Sequence, residues 1–206
     1  MRLVMDELLD APEVYARWFE RWHRPADRAR RGAAALRPDL IEVAAFRAVG
    51  AEELSTLAAE LQQKVLDQIE RMVAAARSDW KELCGRHDVL SREGLGAIDV
   101  GFDPAAIAQL HAESDPDEFG NSLLVTACEL GAVIGSALQA ARPSLRWVAD
   151  WPYFESVLVD APTGLVVPPF HWAIRKLSAQ GAGGGLVERI GVVLTHCSER
   201  ARELSR

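Results

Sequence analysis

The chain has 206 residues, of which 49% are hydrophobic, and a formal net charge of −7. This length and composition exclude a disordered protein and leave room for one large domain or two small ones. Its cysteines, Cys84, Cys128 and Cys197, are odd in number, and each lies beside apolar neighbours in a helical pattern. They therefore indicate buried free thiols in a reducing cytoplasm rather than disulfides.

The charge is unevenly distributed along the chain. Residues 14–37 contain seven arginines against two acidic residues, whereas residues 93–141 contain eight acidic residues and no lysine or arginine. The acidic stretch disfavours nucleic acid and favours a basic protein partner. Residues 17–31 mix arginines with tryptophans, as in some nucleic-acid-binding segments, but we interpret the aromatics as core and the arginines as a solvated or salt-bridged face.

Helical patterns fill the first part of the chain. Asp10 is a predicted N-cap, with Pro12 in the first turn of the helix that follows. Three more helices are predicted further on: the first is interrupted at Gly32, and the last is indicated by apolar residues that recur at intervals of three and four. Their predicted ranges are 26–36, 38–49 and 52–87, the last of them broken near Arg77.

Glycine-rich residues 91–102 separate these helices from the rest of the chain. Their three glycines surround Ile98 and Val100, which predicts a loop or a short strand. The next residue, Asp103, is a predicted N-cap. We place a soft boundary here, which predicts a helical N-terminal region over 1–90 and an α+β region over 91–206, with one continuous domain as the alternative.

The most informative stretch begins with a nearly all-apolar helix pattern over 122–141, whose only charged residue is Glu129. Such a helix is expected to be surrounded by protein. Its Gly131 and Gly135 share one face, on which another backbone can approach closely. The length also fits a membrane span, but the central carboxylate favours a buried helix of a soluble protein.

Aromatic and β-branched residues follow this helix. They dominate 145–150 and 153–160, which predicts two strands. Residues 161–164 are typical of a tight turn, so 165–168 should return antiparallel to the second strand. We therefore predict an α+β fold that is mostly helical, with a small antiparallel three-stranded meander packed on helices in the C-terminal half.

Two helices complete the predicted order. The first begins at Phe170 after Pro168-Pro169, carries an apolar stripe from Phe170 to Leu177, and ends at Gly181. The second begins at Leu186 and frays into a charged tail. The glycines between them, residues 181–185, are interpreted as a flexible connector, because no strand precedes them and no Lys-Ser/Thr pair closes them.

Residues 120–180 resemble a widespread group of uncharacterised bacterial domains. The shared elements are an LG-x-x-x-G helix at 130–135, a strand with Trp147, a hairpin at 162–164 and a Pro-led helix that ends in Lys176-Leu177. The resemblance implies an α+β fold and no activity. An acidic residue often follows the second glycine in that group, whereas this chain has Ser136.

The motifs for metals and cofactors are incomplete. Residues 115–121 resemble the start of a calcium loop but lack the oxygen ligands needed at its fifth and twelfth positions. The Cys84/His87 and His196/Cys197 pairs are interpreted as buried thiols beside partly exposed histidines rather than as zinc ligands. We therefore predict no metal and no cofactor.

The predicted strands and the helix after them carry aromatic, acidic and histidine side chains, the composition of a small pocket or an interface hot spot. Glu129 belongs with them, because a lone carboxylate in an apolar helix needs a partner or a raised pKa. The candidate binding residues are Glu129, Trp147, Asp150, Trp151, Tyr153, Glu155, His171 and Trp172. The candidate partners of Glu129 are Arg146, Arg175 and Lys176. None of the binding candidates is predicted to be catalytic, and packing of the meander on helices would also explain them.

Two function classes are compatible with these patterns. The first is a non-catalytic cytoplasmic protein-binding module, of the immunity or adaptor kind, which holds a protein partner on its acidic or aromatic surface. The second is a small-molecule-binding protein or hydrolase with a site near Glu129, Asp150, Glu155 and His171. The lack of a complete catalytic set favours the first. Neither nucleic acid nor a membrane is an expected partner, and a homodimer is a further candidate assembly.

Overall fold

The computed structural model describes residues 8–23, 41–42, 57–181 and 185–206. Its first helical segment consists of α1 (Ala11–Val14), a π-helical turn (Tyr15–Phe19) and a 3-10 turn (Glu20–Trp22). The further helices are α2 (Ala59–Asp79), α3 (Lys81–Cys84), α4 (Arg92–Gly101), α5 (Pro104–Glu113), α6 (Ser122–Ala141), α7 (Pro169–Lys176) and α8 (Leu186–Leu204). The strands are β1 (Ile41–Glu42), β2 (Leu145–Val148), β3 (Val157–Asp160) and β4 (Leu165–Val167).

The predicted meander is confirmed. Strands β2, β3 and β4 pair antiparallel in sequence order, with Leu158 opposite Trp147 on one side and Val167 on the other. In the turn that joins β3 to β4, Gly164 has a φ of +73°, a conformation that residues with a Cβ rarely adopt. The fold is therefore α+β, with a small antiparallel sheet packed on helices.

The sheet also contains a strand that the sequence analysis did not predict. Ile41 and Glu42 of β1 pair antiparallel with Val166 and Leu165, so the strand order is β1-β4-β3-β2. A short helix over 38–49 is the sequence-based expectation, and it is wrong for these two residues. The edge of β4 offers unpaired backbone groups, and pairing with them overrides a weak local helix preference. The other residues of that predicted helix, and the predicted helix over 26–36, lie outside the described residues.

Helix α4 corrects the prediction of a loop or strand over 91–102. The Ser91 hydroxyl begins the helix by accepting a hydrogen bond from the backbone N–H of Gly94 at 3.0 Å. Leu95 and Ile98 are buried on one face, and their packing outweighs the cost of about 1 kcal/mol for a glycine inside a helix. A Cβ on Gly94 would lie only 2.1 Å from the backbone oxygen of Asp88, so this glycine is required by the close approach of the preceding loop.

The second predicted strand is shorter than expected. It begins at Val157 rather than at 153, because Tyr153–Glu155 form a 3-10 turn. The long N-terminal helix breaks close to the predicted position, since α2 ends at Asp79 and α3 begins at Lys81. Both predicted aspartate caps are confirmed: each accepts a hydrogen bond from a backbone N–H three residues later, Asp10 at 2.9 Å and Asp103 at 2.8 Å.

Helix α6 lies in the core between α2 and α7. A Cβ on Gly131 would lie 2.7 Å from the Cα of Phe170 in α7, and one on Gly135 would lie 2.2 Å from the ring of Trp147. The predicted close approach on this face is therefore confirmed. By length and composition α6 could cross a membrane, but 72% of its apolar window is buried inside the protein, as in the core helix of a soluble fold.

We expect Gly131→Ala to lower the free energy of unfolding by about 1–3 kcal/mol, because the added methyl group overlaps backbone as well as side chain of α7. Gly191→Ala in α8 is the matched control, since no heavy atom lies within 4 Å of its Cβ position. This control should be neutral or raise stability by up to about 1 kcal/mol. Urea unfolding of both purified variants measures the difference. Equal stabilities would contradict the close packing of α6 on α7.

One hydrophobic cluster joins the two regions that the sequence predicts. It contains Trp18 and Ile69 from the first region and Leu130, Phe154 and Val193 from the second. The cysteines are buried and free, as predicted. The division near residue 90 stays a prediction, and the shared core favours its alternative, one continuous domain.

Candidate functional site

The structure distributes the eight candidate binding residues among different surroundings. Glu155 and His171 belong to a buried polar cluster. Glu129 and Tyr153 line a surface pocket, and Trp151 packs edge-on against Tyr153 with ring centroids 6.2 Å apart. The other three make packing or turn contacts.

These three residues contact neighbours that explain them structurally. Trp147 packs on Phe170 in the core, with ring centroids 5.9 Å apart. The guanidinium of Arg189 lies 5.2 Å from the centroid of the Trp172 ring. Asp150 accepts a hydrogen bond from the next backbone N–H at 2.7 Å and thereby shapes the turn after β2. Each contact is of the kind that a meander needs to pack on helices.

Glu155 is the centre of the buried polar cluster. Its Oε1 accepts a hydrogen bond from the Tyr15 hydroxyl and lies 3.1 Å from Nε2 of His23. Its Oε2 lies 3.3 Å from Nε2 of His171. All four residues are 8% exposed or less. Two of them come from the N-terminal helical segment and the residue after it, one from the 3-10 turn before β3, and one from α7.

Two opposing effects set the pKa of Glu155. Burial alone would raise it, but ionic and hydrogen-bond contacts with His171, His23 and Tyr15 outweigh burial and hold the pKa well below its ordinary value of 4.5. Nδ1 of His23 lies 3.1 Å from the backbone oxygen of Glu20. Each ring nitrogen of His23 therefore lies within hydrogen-bond distance of an oxygen atom.

The cluster ties the N-terminal segment to the C-terminal half. Little of this cluster meets solvent, because every polar side chain in it is 8% exposed or less. Among the described residues, no group of three or more His, Cys, Asp or Glu side chains is arranged to hold a metal ion. The contacts of the Glu155 cluster are those of a structural network of hydrogen bonds and ion pairs.

Glu129 lies in a pocket of about 240 Å³ between α2, α6 and the 3-10 turn before β3. The residue is only 6% exposed. The side chain of Glu129 forms no hydrogen bond or ion pair with a described residue. Its carboxyl oxygens are nevertheless not among the fully buried polar atoms that lack a partner. The carboxyl group therefore faces the pocket. The walls include Arg71, Met72 and Ala75 of α2, Val125 and Cys128 of α6, and Tyr153.

The sequence predicts that Glu129 has either a basic partner or a raised pKa, and in the structure its pKa is raised. Burial and, to a smaller degree, the charge of Asp79 raise its pKa to about 7. Lys176 instead pairs with Asp99 at 3.3 Å, and Arg146 donates to a backbone oxygen of its own turn. None of the three candidate bases, Arg146, Arg175 and Lys176, forms an ion pair with Glu129 in the described structure. The predicted ion pair between Glu129 and one of these three bases is therefore wrong.

The other two polar groups of the pocket are poor nucleophiles. Burial raises the pKa of the Cys128 thiol and of the Tyr153 hydroxyl, and the two side chains interact with each other. Both are therefore protonated near neutral pH. A thiolate is needed for nucleophilic attack by cysteine, so the pocket is suited to binding rather than to covalent catalysis.

A larger groove of about 700 Å³ lies between α4, α6 and α8. Its walls are mainly apolar, with Leu95, Ala137 and Leu194 among them. No buried, unpaired polar side chain is aimed into it among the described residues. The groove therefore indicates no particular ligand.

The acidic stretch forms part of the surface and contains an exposed aromatic residue. Phe119 is 66% exposed and packs edge-on against Trp22, with ring centroids 4.8 Å apart. Arg21 pairs with Asp117 and neutralises part of the charge. Three further carboxylates close in sequence are exposed and form no ion pair with the described residues: Glu113, Asp115 and Glu118.

The described part of the arginine-rich stretch is an amphipathic helical segment. Trp18 and Phe19 are buried, and the guanidinium of Arg17 lies 4.7 Å from the centroid of the Trp18 ring. Arg21 forms an ion pair with Asp117. These contacts match the interpretation of buried aromatics and a salt-bridged outer face. Residues 24–31 lie outside the described ranges.

Sequence reasoning missed Tyr15 and His23 as members of the cluster. The two residues and Phe19 are spaced by four, so they share one face of a helical segment. That spacing is common among core aromatics. The feature that distinguishes them is their contact with Glu155, which lies 132 positions beyond His23 and so leaves no local signal.

Comparisons of the chain with protein-family models, with curated proteins and with solved structures find no match in any of the three. The resemblance of residues 120–180 to a group of bacterial domains therefore stays a prediction, and the function has to be argued from the geometry of the chain itself.

Proposed function

We propose that the protein is a non-catalytic, cytoplasmic protein-binding module, of the immunity or adaptor kind, that holds a basic protein partner on its acidic surface. The observation that carries the proposal is Phe119, an exposed aromatic side chain near three exposed carboxylates that form no ion pair with a described residue. Aromatic anchors surrounded by a polar rim are typical of interface hot spots. An excess of one charge on the rim speeds encounter with a partner of the opposite charge and adds specificity.

Charge complementarity identifies the partner class. The exposed acids Glu113, Asp115 and Glu118 have no basic partner among the described residues, and residues 93–141 contain no lysine or arginine at all. A basic partner would supply the missing counter-charges. The surface is also unsuited to nucleic acid, because its net charge repels phosphates.

The proposal predicts that Phe119→Ala combined with Glu118→Lys abolishes capture of a partner from a host lysate. Wild-type protein immobilised at about 50 mM salt should retain a basic protein and release it as salt screens the charges. The matched control is Val192→Ala combined with Glu199→Lys, which changes an exposed apolar residue and an exposed acid on α8 instead.

Quantitative mass spectrometry of the bound fractions compares the three proteins. The control should capture the same basic protein as wild type, and circular dichroism should show all three folded. A partner retained equally by both variants, or no retained protein at low salt, would contradict the proposal.

Small-molecule binding is the second candidate function, because the Glu129 carboxyl group faces an open pocket. The broader alternative, a small-molecule site or hydrolase formed by Glu129, Asp150, Glu155 and His171, has less support. Glu155 and His171 contact each other in the core, whereas Asp150 shapes a turn. No described contact links them to Glu129. The pocket is therefore the part of this alternative that we take further.

A further inference from the structure

The Glu129 pocket has two independent features of a ligand site. It is an open cavity of about 240 Å³, and it contains the carboxyl group of Glu129, a residue that is only 6% exposed and forms no ion pair with a described base. A buried carboxyl group without a partner is unfavourable, so such groups occur mainly at functional sites. Packing does not explain it either, because a leucine would fill the same place in α6 without that cost.

The charges around the pocket favour a cation. Asp79 is not part of the lining, but its negative charge acts on Glu129. The single cation of the lining, Arg71, is exposed and directs Nε and Nη2 at the side-chain oxygen of Gln68, at 3.2 and 2.8 Å. Cys128 and Tyr153 are protonated and carry no charge. Once Glu129 is ionised, its charge and that of Arg71 balance within the lining, and Asp79 outside the lining adds a negative charge that acts on Glu129.

The walls define the rest of the ligand. Met72, Ala75 and Val125 offer apolar surface to a short alkyl chain. The aromatic ring of Tyr153 can contact a cation through its face. The volume is below the range of about 300–1,000 Å³ that is usual for drug-sized ligands, so the ligand must be small.

We propose that the Glu129 pocket binds a small organic ammonium ion, a primary amine on a short alkyl chain, with the carboxylate of Glu129 as its counter-ion. This inference rests on the second candidate function, small-molecule binding, and names its ligand class. It is independent of the acidic surface around Phe119. The ammonium ion would donate hydrogen bonds to Glu129 while its alkyl chain lies against Met72 and Val125.

Titration with n-butylamine, followed by amide chemical shifts in NMR spectra, tests the proposal. We expect binding about tenfold tighter at pH 8 than at pH 6, because a carboxyl group with a pKa of about 7 is mostly ionised at the first pH and mostly protonated at the second. Glu129→Gln should weaken binding by at least about tenfold at pH 8. Glu70→Gln, which removes an exposed acid of α2 outside the lining, should bind as wild type does.

n-Butanol serves as an uncharged probe of the same size. Equal affinity for the alcohol, unchanged binding by Glu129→Gln, or binding independent of pH would overturn the ammonium class but leave small-molecule binding standing. Failure of both probes to shift the pocket amides would overturn the second candidate function as well. A further test uses the wild type alone and follows the pH titration of the Glu129 carboxyl group by carbon-13 NMR. The midpoint of this titration should move to lower pH when the amine is present. An unchanged midpoint would contradict the proposal.

Discussion

Glu155→Ala is expected to lower the free energy of unfolding by about 3–5 kcal/mol at neutral pH, the loss typical of breaking a buried ion pair. The substitution would leave the imidazoles of His23 and His171 buried without the carboxylate that they contact and the Tyr15 hydroxyl without its acceptor. It would also remove the polar contacts that link the N-terminal segment to α7. Urea unfolding followed by circular dichroism measures the loss.

The pH dependence of this loss identifies its cause. The pKa of Glu155 is lowered by folding, so its contribution to stability is fully present above its ordinary pKa of 4.5 and disappears as the pH falls below that value. The difference in stability between wild type and Glu155→Gln should therefore shrink steadily from about pH 5 to about pH 3. A difference that stays constant over this range would show that the carboxylate is not held by the two histidines.

Glu129→Gln is the matched control, because Glu129 is equally buried and its pKa moves in the opposite direction. The two residues are 6% and 8% exposed, but the pKa of Glu129 is raised from 4.5 to about 7. Ionisation of Glu129 therefore costs stability as the pH rises from about 4.5 to about 7. At about pH 8 the glutamine variant should be as stable as wild type or more stable, in contrast to both Glu155 variants.

Arg142→Met is expected to cost about 3–5 kcal/mol, the second large effect. Arg142 donates from Nε and Nη2 to the two carboxylate oxygens of Asp160, at 3.0 and 2.9 Å. Asp160 is fully buried and also accepts hydrogen bonds from the hydroxyls of Ser144 and Thr163. Burial alone would raise the pKa of Asp160, but these contacts outweigh burial, so the pKa lies below its ordinary value. Without Arg142 the carboxylate loses its counter-ion in the interior, where α6, β2 and the β3–β4 turn meet.

An exposed ion pair of similar geometry gives the comparison. Arg77 and Asp88 are also 2.9 Å apart, but their side chains are 48% and 50% exposed. Arg77→Met should therefore change stability by no more than about 1 kcal/mol. Thermal and urea unfolding of both variants measure the contrast. Similar losses at Arg77 and Arg142 would refute the importance that we assign to burial.

The fold was predictable where the deciding signal is local. The apolar helix over 122–141, the turn before Gly164 and the aspartate caps depend on residues within a few positions of one another, and all are confirmed. Helix α4 was mispredicted because glycine content was weighed above the buried face formed by Leu95 and Ile98. Glycine lowers helix preference by about 1 kcal/mol, which packing readily exceeds.

The candidate site was predictable only in composition. Glu155 and His171 were nominated because polar residues among aromatics are unusual, and the structure brings them within 3.3 Å of each other. Their partners Tyr15 and His23 come from the other end of the chain. No periodicity links positions so far apart, because that contact depends on how the N-terminal segment packs.

The sequence by itself determined the fold class, the order of most described elements and the need of Glu129 for either a partner or a raised pKa. These properties depend on local periodicity, on turn chemistry and on the cost of burying a charge. Only the tertiary structure decided which outcome each buried carboxylate has. Glu155 meets two imidazoles and a hydroxyl, Asp160 meets the guanidinium of Arg142, and both carboxylates have lowered pKa values, whereas Glu129 forms no ion pair with a described residue and has a raised one. The physical reason is that the pKa of a buried acid depends on the charges within a few ångströms of it, and chain folding, not sequence proximity, brings those charges there.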